Sequence, residues 1–307
     1  MSVDPSAQYK IGIVILAYNR LDITLKCLES LRKIKYKNYD ILIVDNHSTD
    51  GTADRIPSDF PEAHFITLNE NAGFTGGNNI GIRWYLERDI DAILLLNNDT
   101  LVQSDFLCRM TPHLKDQMIV TPQILSLKSP DLFGACMGEF DWNRGNWEDD
   151  SYGKLAVSAG ASAREVGMSS ACCLLIPRRV FEKIGVFDDN YFLYYEDVDF
   201  IGRAKLAGFS LLYEPKAIIY HYGRASTDQR VISPVALYYG VRNRLFIIRK
   251  FKKGNLKHIF FFTYVILSEL GKSVYWGITC KWDLVLAEYR GIRDFLLKRM
   301  NRVGYQW

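Results

Sequence analysis

Acidic and amide side chains recur in this chain just after short apolar runs. The run Ala92–Leu96 breaks abruptly into Asn97-Asn98-Asp99-Thr100. A short unbroken apolar run suits a parallel strand buried on both faces, and open α/β sheets bind ligands beyond the carboxyl ends of their strands. Asp99 offers hard oxygen to a divalent ion such as Mg²⁺ or Mn²⁺, which takes carboxylates together with substrate phosphates. The same residues also read as a strand followed by an Asx turn. A second acidic cluster, Glu196-Asp197-Val198-Asp199, opens a helical pattern that runs to Gly208. Acids are favoured there by the helix dipole alone; the chemical reading is that Asp197 takes a proton from an attacking hydroxyl. His221 follows the β-like run Ala217–Tyr220. It is either a hydrogen-bonded structural histidine or a metal ligand through a neutral ring nitrogen. Asp45, after Asp40–Val44, can cap a turn or accept the N3–H of a pyrimidine. Tyr18 can stack on a base, and Arg20 can pair with phosphate or carboxylate.

These groups need elements to hold them at one edge. Buried-strand patterns cover Ile11–Leu16, Asp40–Val44, His64–Leu68 and Ala92–Leu96. Helical spacing covers Leu21–Lys33, with Asp22 as N-cap, and Ile80–Glu87. Strands alternating with helices predict a doubly wound α/β sheet whose polar loops converge on a nucleotide-type site. Gly73, Gly76 and Gly77 read as a loop that lets backbone approach a ligand, with Asn78 supplying an amide. That stretch is neither a GxGxxG fingerprint nor a Walker loop. Gly134–Gly153 reads as a long loop acting as a mobile flap over acceptor or donor. Further strands are expected over Ser169–Ile176, Ser210–Tyr213 and Ala217–Tyr220, with a short helix over Val180–Ile184.

With 307 residues, 48% apolar and 24% charged, the chain has ordinary globular composition. The net charge of +3 hides an asymmetry: residues 221–307 carry 16 Lys/Arg against 5 Asp/Glu, and residues 1–220 carry 22 against 30. We divide the chain into a catalytic region 1–228 (nucleotide half about 1–100, acceptor half about 101–228) and a basic, mostly helical region 229–307. The basic region either lies on an anionic membrane surface or packs its apolar face on the catalytic region. No nucleic-acid-binding pattern stands out. The six cysteines lack CxxC spacing and read as reduced thiols. The polar start, and the lack of an apolar stretch of roughly 20 residues, point to a cytoplasmic protein, peripheral on the membrane at most.

Taken in order, Ala-Tyr-Asn-Arg at 17–20, Val-Asp-Asn-His-Ser-Thr-Asp-Gly-Thr at 44–52, Asn-Ala-Gly-Phe at 71–74, Gly-Gly-Asn-Asn at 76–79, Asn-Asn-Asp-Thr at 97–100, Tyr-Glu-Asp-Val-Asp-Phe at 195–200 and His-Tyr at 221–222 resemble the inverting family 2 glycosyltransferases of GT-A fold, in the rhamnosyltransferase-like branch. The resemblance runs from Ile11 to about Lys253. It implies that Ala17, Tyr18, Arg20, Asp45, Asn71, Gly76, Asn78, Asn97 and Asn98 surround the nucleotide. It also implies that Asp99 and His221 hold Mg²⁺ or Mn²⁺, that Asp197 is the base, and that Glu196 helps to hold the acceptor. Asn97 departs from the family pattern by placing a neutral amide where the first carboxylate of a DxD motif sits. The implied partners are a nucleoside-diphosphate sugar, dTDP-rhamnose or a UDP- or GDP-sugar, and a glycan or lipid-linked glycan acceptor. Two other classes compete: a sugar-nucleotide nucleotidyltransferase, disfavoured by the lack of an N-terminal glycine-rich phosphate loop, and a non-catalytic nucleotide- or glycan-binding subunit.

Overall fold

The computed structural model describes residues 8–148, 151–156, 161–223, 233–251, 256–302 and 304–305. The expected division at 228/229 lies outside the described residues, as do parts of the expected flap and the side chains of Lys252, Lys253 and Lys257.

The first half alternates as expected: β1 (Ile11–Ala17), α1 (Leu21–Leu31), β2 (Tyr39–Asp45), α2 (Thr52–Asp59), β3 (His64–Thr67), α3 (Gly73–Leu86) and β4 (Ala92–Asn97). Then come β5 (Thr100–Val102), α4 (Phe106–Met110), β6 (Ile119–Ser126), β7 (Met137–Asp141), β8 (Asn146–Glu148), β9 (Arg164–Glu165), β10 (Met168–Ser169), β11 (Cys173–Pro177), α5 (Arg178–Ile184), α6 (Glu196–Leu206) and β12 (Leu211–His221). Three helices follow: α7 (Pro234–Phe251), α8 (Leu256–Ile278) and α9 (Trp282–Leu296).

The main sheet has the order β3-β2-β1-β4-β11-β6-β12-β5, with β9 on β12. Strands β1 to β4 are mutually parallel, and β11 lies antiparallel between β4 and β6. The sheet is therefore mixed. Successive side chains of a strand face opposite ways, so Ile11, Ile13 and Ile15 enter a core under α1 and α4, whereas Val14 enters the core under α3, α5, α6 and α7.

Several local expectations are corrected. Asp22 is not the N-cap of α1; Arg20 occupies that position in a left-handed conformation, and Asp22 lies in the first turn. The two strands expected over 210–220 are one strand, β12, whose register slips between Glu214 and Ile218. The long loop expected at Gly134–Gly153 contains the hairpin β7–β8, which joins β10 in a small antiparallel sheet. The glycine-rich stretch from Gly73, expected as a loop, is the opening of α3.

Packing explains those glycines. A Cβ on Gly12 would stand 2.6 Å from the Tyr85 ring, and one on Gly77 or Gly81 would overlap Leu16 or Val14. Helix α3 thus lies directly on β1. Periodicity could not reveal this, because a small residue carries no hydropathic signal.

The basic region splits into two behaviours. Helix α7 packs inward: Leu245, Ile247 and Ile248 join the main core, Arg242 and Arg244 are buried, and Lys250 pairs with Asp188 and Asp199. The two arginines are interior, and Lys250 is held by its two carboxylate partners. Beyond α9, Arg302 Nη1 donates to Glu70 Oε2 at 3.0 Å and to the Asn71 carbonyl at 3.3 Å. No helix among the described residues is long and apolar enough to cross a membrane.

Gly81→Val should lower unfolding stability by about 2 kcal/mol, because extra carbons in a closed core force side chains off their rotamers. Urea denaturation followed by circular dichroism measures it.

Candidate active site

The carboxyl end of β4 is the meeting point. Cys173 on β11 pairs with Leu96, and the Asn97 amide donates to the Cys172 carbonyl at 2.9 Å. One residue earlier, the Ala171 amide donates to Asp197 Oδ2 at 3.2 Å. The three-residue stretch 171–173 therefore joins the end of β4 to the start of α6. From the other side, His221 is the last residue of β12 and pairs in register with Thr100. This places His221 Nε2 3.1 Å from Asp99 Oδ1. Asp99, Asp197 and His221, far apart in sequence, share one rim of the sheet.

Asp197 is half-buried in the first turn of α6, and its other oxygen accepts the Val198 amide at 2.8 Å. Burial raises its pKa above the ordinary aspartate value, and the two amides offset part of that rise. Glu196 is buried, and its Oε2 has no hydrogen-bond partner among the described residues. Burial, followed by the charge of Asp197, raises Glu196 well above the usual carboxylate range. The third acid of the cluster has a different role. Asp199 is fully buried and pairs with Arg203 at 2.7 Å and Lys250 at 2.5 Å, so it locks α6 to α7.

His221 is oriented from behind: its Nδ1 lies 3.0 Å from the Gly134 carbonyl. That contact leaves Nε2 for Asp99 or for a cation, as in carboxylate- and carbonyl-supported metal histidines. Burial works to lower the imidazolium pKa, but the neighbouring Cys172 sulfur and the Asp99 carboxylate outweigh it and raise it to about 12. A cation taking the place between Asp99 and His221 must displace that proton. Two such ligands suit a Mg²⁺- or Mn²⁺-type ion that draws its remaining oxygens from a bound diphosphate. Among the described residues no group of three or more His, Cys, Asp or Glu side chains could hold a metal.

The nucleotide candidates divide. Tyr18 and Arg20 are exposed at the end of β1, and Arg20 has a left-handed backbone. Ala17 is buried, and its carbonyl accepts the Asn46 amide. Asp45 is buried at the end of β2 and accepts the Ser48 amide at 3.2 Å, which is the turn-capping arrangement. Asn98 Nδ2 is tied to Thr24 Oγ1 at 2.8 Å, and the Asn97 carbonyl accepts the Thr100 hydroxyl at 2.8 Å. Asn71 Oδ1 accepts from Asn46 Nδ2 and from the Gly73 amide. Asn78 Nδ2 is used within α3 on the Phe74 carbonyl, and Gly76 lies in the same helix facing Ala72. Asn71, Gly76 and Asn78 thus build the β3–α3 corner, while Tyr18 and Arg20 remain open to a ligand.

The sequence reading missed the support behind the acidic turn. Tyr194 and Tyr195 both have positive φ, 69° and 72°, a conformation costing about 1–3 kcal/mol for such residues. Asn243 of α7 holds this turn, its Nδ2 donating to the Leu193 and Tyr194 carbonyls at 2.9 Å each. Tyr195 Oη donates to the Gly145 carbonyl, and Arg244 Nε to the Arg144 carbonyl, which ties the β7–β8 hairpin to the same helix. The Arg-Asn-Arg run at 242–244 was the available signal, since polar residues inside an apolar helix need buried partners.

The structural neighbours share this architecture at low identity. GalNAc-T7 crystallised with UDP, GalNAc and Mn²⁺ superposes with a TM-score of 0.60 at 14% identity, over 76% of this chain and 48% of that one. S. aureus TarS 1-349 in complex with UDP-GlcNAc gives 0.58 at 14% identity, over 91% of this chain and 79% of that one. By sequence, the chain is 25% identical to the dTDP-rhamnosyl transferase RfbF of Shigella flexneri over 77% of its own length and 79% of that protein's. It is 27% identical to the N-acetylglucosaminyl-diphospho-decaprenol L-rhamnosyltransferase of Mycobacterium tuberculosis (strain ATCC 25618 / H37Rv), over 69% of this chain and 76% of that one. The profile of Glycosyl transferase family 2 matches residues 12–185. With more than half its length matched, and with a GT-A-like mixed sheet, the chain belongs to glycosyl transferase family 2 and is a transferase.

Proposed function

We propose that the protein is an inverting glycosyltransferase that moves a sugar from a nucleoside-diphosphate sugar to a hydroxyl of a glycan or lipid-linked glycan. The name of the Shigella flexneri relative favours dTDP-rhamnose as donor. The observation that carries the reading is that the 171–173 stretch ties Asp197 to the end of β4, the rim that also bears the Asp99–His221 pair.

Asp197 accepts the acceptor hydroxyl proton. The freed oxygen pair attacks the anomeric carbon as the bond to the diphosphate oxygen breaks and the nucleoside diphosphate leaves with that pair. The raised pKa of Asp197 makes it a stronger base than an ordinary aspartate. Burial and the charge of Asp197 favour the protonated form of Glu196, which as a carboxylic acid would donate a hydrogen bond towards the acceptor. Tyr18 and Arg20, exposed at the end of β1, would meet base and phosphate, and Asp45 would lie at the pyrimidine edge. A divalent ion held by Asp99 and His221 would offset the charge developing on the departing diphosphate. We place the reaction at the cytoplasmic face of a membrane that presents the lipid-linked acceptor, as the decaprenol in one relative's name suggests.

Asp197→Asn should abolish transfer while leaving the affinity for the nucleoside diphosphate within about threefold, since one unit of charge is removed away from the nucleotide pocket. Thermal shift measures the affinity and product release measures turnover; retained turnover would remove Asp197 from this role. In the wild type, the base must be unprotonated to work. Because its pKa is raised, kcat should fall, on acidification, at a pH above the ordinary aspartate value of roughly 3.9.

EDTA should stop turnover and Mg²⁺ or Mn²⁺ should restore it. Asp99→Ala should abolish the restoration without unfolding the protein. Full activity after thorough chelation would contradict the assignment of Asp99 and His221.

Asn243→Ala should lower kcat by about tenfold or more, the effect of misplacing a reacting group by a fraction of an ångström, with little change in donor KM. A fall in unfolding temperature with kcat unchanged would reduce Asn243 to a stabilising residue.

A further inference from the structure

We propose that the outward face of the α8–α9 hairpin is a docking surface for an anionic lipid bilayer. This deepens the membrane placement made above and rests on that reading, but its test needs no turnover.

Residues 267, 270, 274 and 278 fall on one side of a helix with 3.6 residues per turn. Here they are Leu267, Leu270, Val274 and Ile278, each between 48% and 78% exposed. On α9 the same spacing brings out Trp282, Leu286, Tyr289 and Leu296, each between 44% and 65% exposed. The opposite sides are occupied: Val265 and Phe295 belong to the core. Monomeric proteins in water rarely leave contiguous apolar surface beyond a few hundred Å², so this face calls for a covering partner.

Charge decides which partner. Helices α8 and α9 carry four acids, and three of them, Glu269, Glu288 and Asp294, are at most 1% exposed. Glu269 meets Arg244 at 2.5 Å and Lys272 at 2.8 Å, and Asp294 meets Arg293 at 2.9 Å and the hydroxyls of Tyr238 and Tyr305. Burial raises Glu288, which disfavours its charged form, and its Oε2 accepts the Ser273 hydroxyl at 2.6 Å. Asp283 is the one exposed acid among the described residues of these helices, whereas Lys272, Lys281, Lys298 and Arg299 are exposed beside or just beyond them. The face is therefore apolar with a cationic margin. A second copy docking by two-fold symmetry would set this margin against itself, with only Asp283 to pair. Anionic headgroups match it, each cation near the surface contributing about 1 kcal/mol.

The aromatic residues agree. Trp282 and Tyr289, joined by Tyr264 and Tyr275, are the amphipathic rings that settle at headgroup level. Helix α8, with 23 residues, is about 35 Å long. Since no described helix can cross a bilayer, the hairpin lies along the interface with its apolar side down.

The test is co-sedimentation of the full chain with phosphatidylcholine vesicles with and without phosphatidylglycerol, alongside light scattering of the free protein. The wild type should partition at least about tenfold more onto the anionic vesicles and lose most of that preference in about 1 M salt, where screening shortens to about 3 Å. Leu270→Asp combined with Ile278→Asp should remove vesicle binding while leaving circular dichroism and unfolding temperature unchanged, since both positions face outward. Failure of the wild type to bind anionic vesicles would overturn the proposal. So would binding by the double variant equal to the wild type's. A wild-type dimer that the double variant splits, with no vesicle binding, would assign the face to a second copy. Because binding is read on the protein alone, these outcomes stand whether or not Asp197→Asn abolishes transfer.

Discussion

The antiparallel seam between β4 and β11 carries the rest of the site. At its end one peptide carbonyl, that of Cys172, receives the Asn97 amide, and the preceding amide, that of Ala171, is given to the carboxylate of Asp197. Backbone groups thus set the spacing between the Asn97–Asp99 turn and the first turn of α6. A side-chain substitution cannot easily move them, and buried backbone donors cannot be left unpaired without cost. The two halves of the chain meet there through a ladder whose register is fixed by apolar side chains on both faces of the sheet.

Around that seam the structure arranges acids in opposing environments. Asp199 is fully buried but sits between two cations, whereas Glu196 is buried beside another carboxylate and pairs with no cation among the described residues. Asp197 lies between these extremes, held by amide dipoles. Three acids within four positions thereby acquire three different characters. This is how one short helix turn can supply both an anchor and reactive groups.

Much of the candidate site's rim was legible in the sequence because it follows from strand ends. Apolar runs that stop in polar residues locate Asp45, Asp99 and His221, and a parallel arrangement brings such ends to one side. The acidic turn was legible as a helix start, with Gly208 as the stop. The β3–α3 corner was not. Glycines read as a loop turned out to be the close-packed opening of a helix, because the sequence does not say whether a missing side chain makes room for a ligand or for a neighbouring strand. The bracing of Tyr194 and Tyr195 by Asn243 was hidden for a different reason: it joins residues about fifty positions apart through side-chain-to-backbone bonds, which leave no periodic trace. The basic C-terminal region was read as one unit, yet its arginines at 242 and 244 are interior ties, while the exposed cations lie on and beyond α8.

The tie from Arg302 to Glu70 and the Asn71 carbonyl has a practical outcome. The polypeptide, having built the helical layer, returns to the corner where β3 turns into α3, beside the open end of β1. Arg302 holds the chain at that corner, and Tyr305 then turns it back onto α9 by donating to the Asp294 carboxylate. A truncation that removes Arg302 therefore takes away the brace of the corner beside the open end of β1.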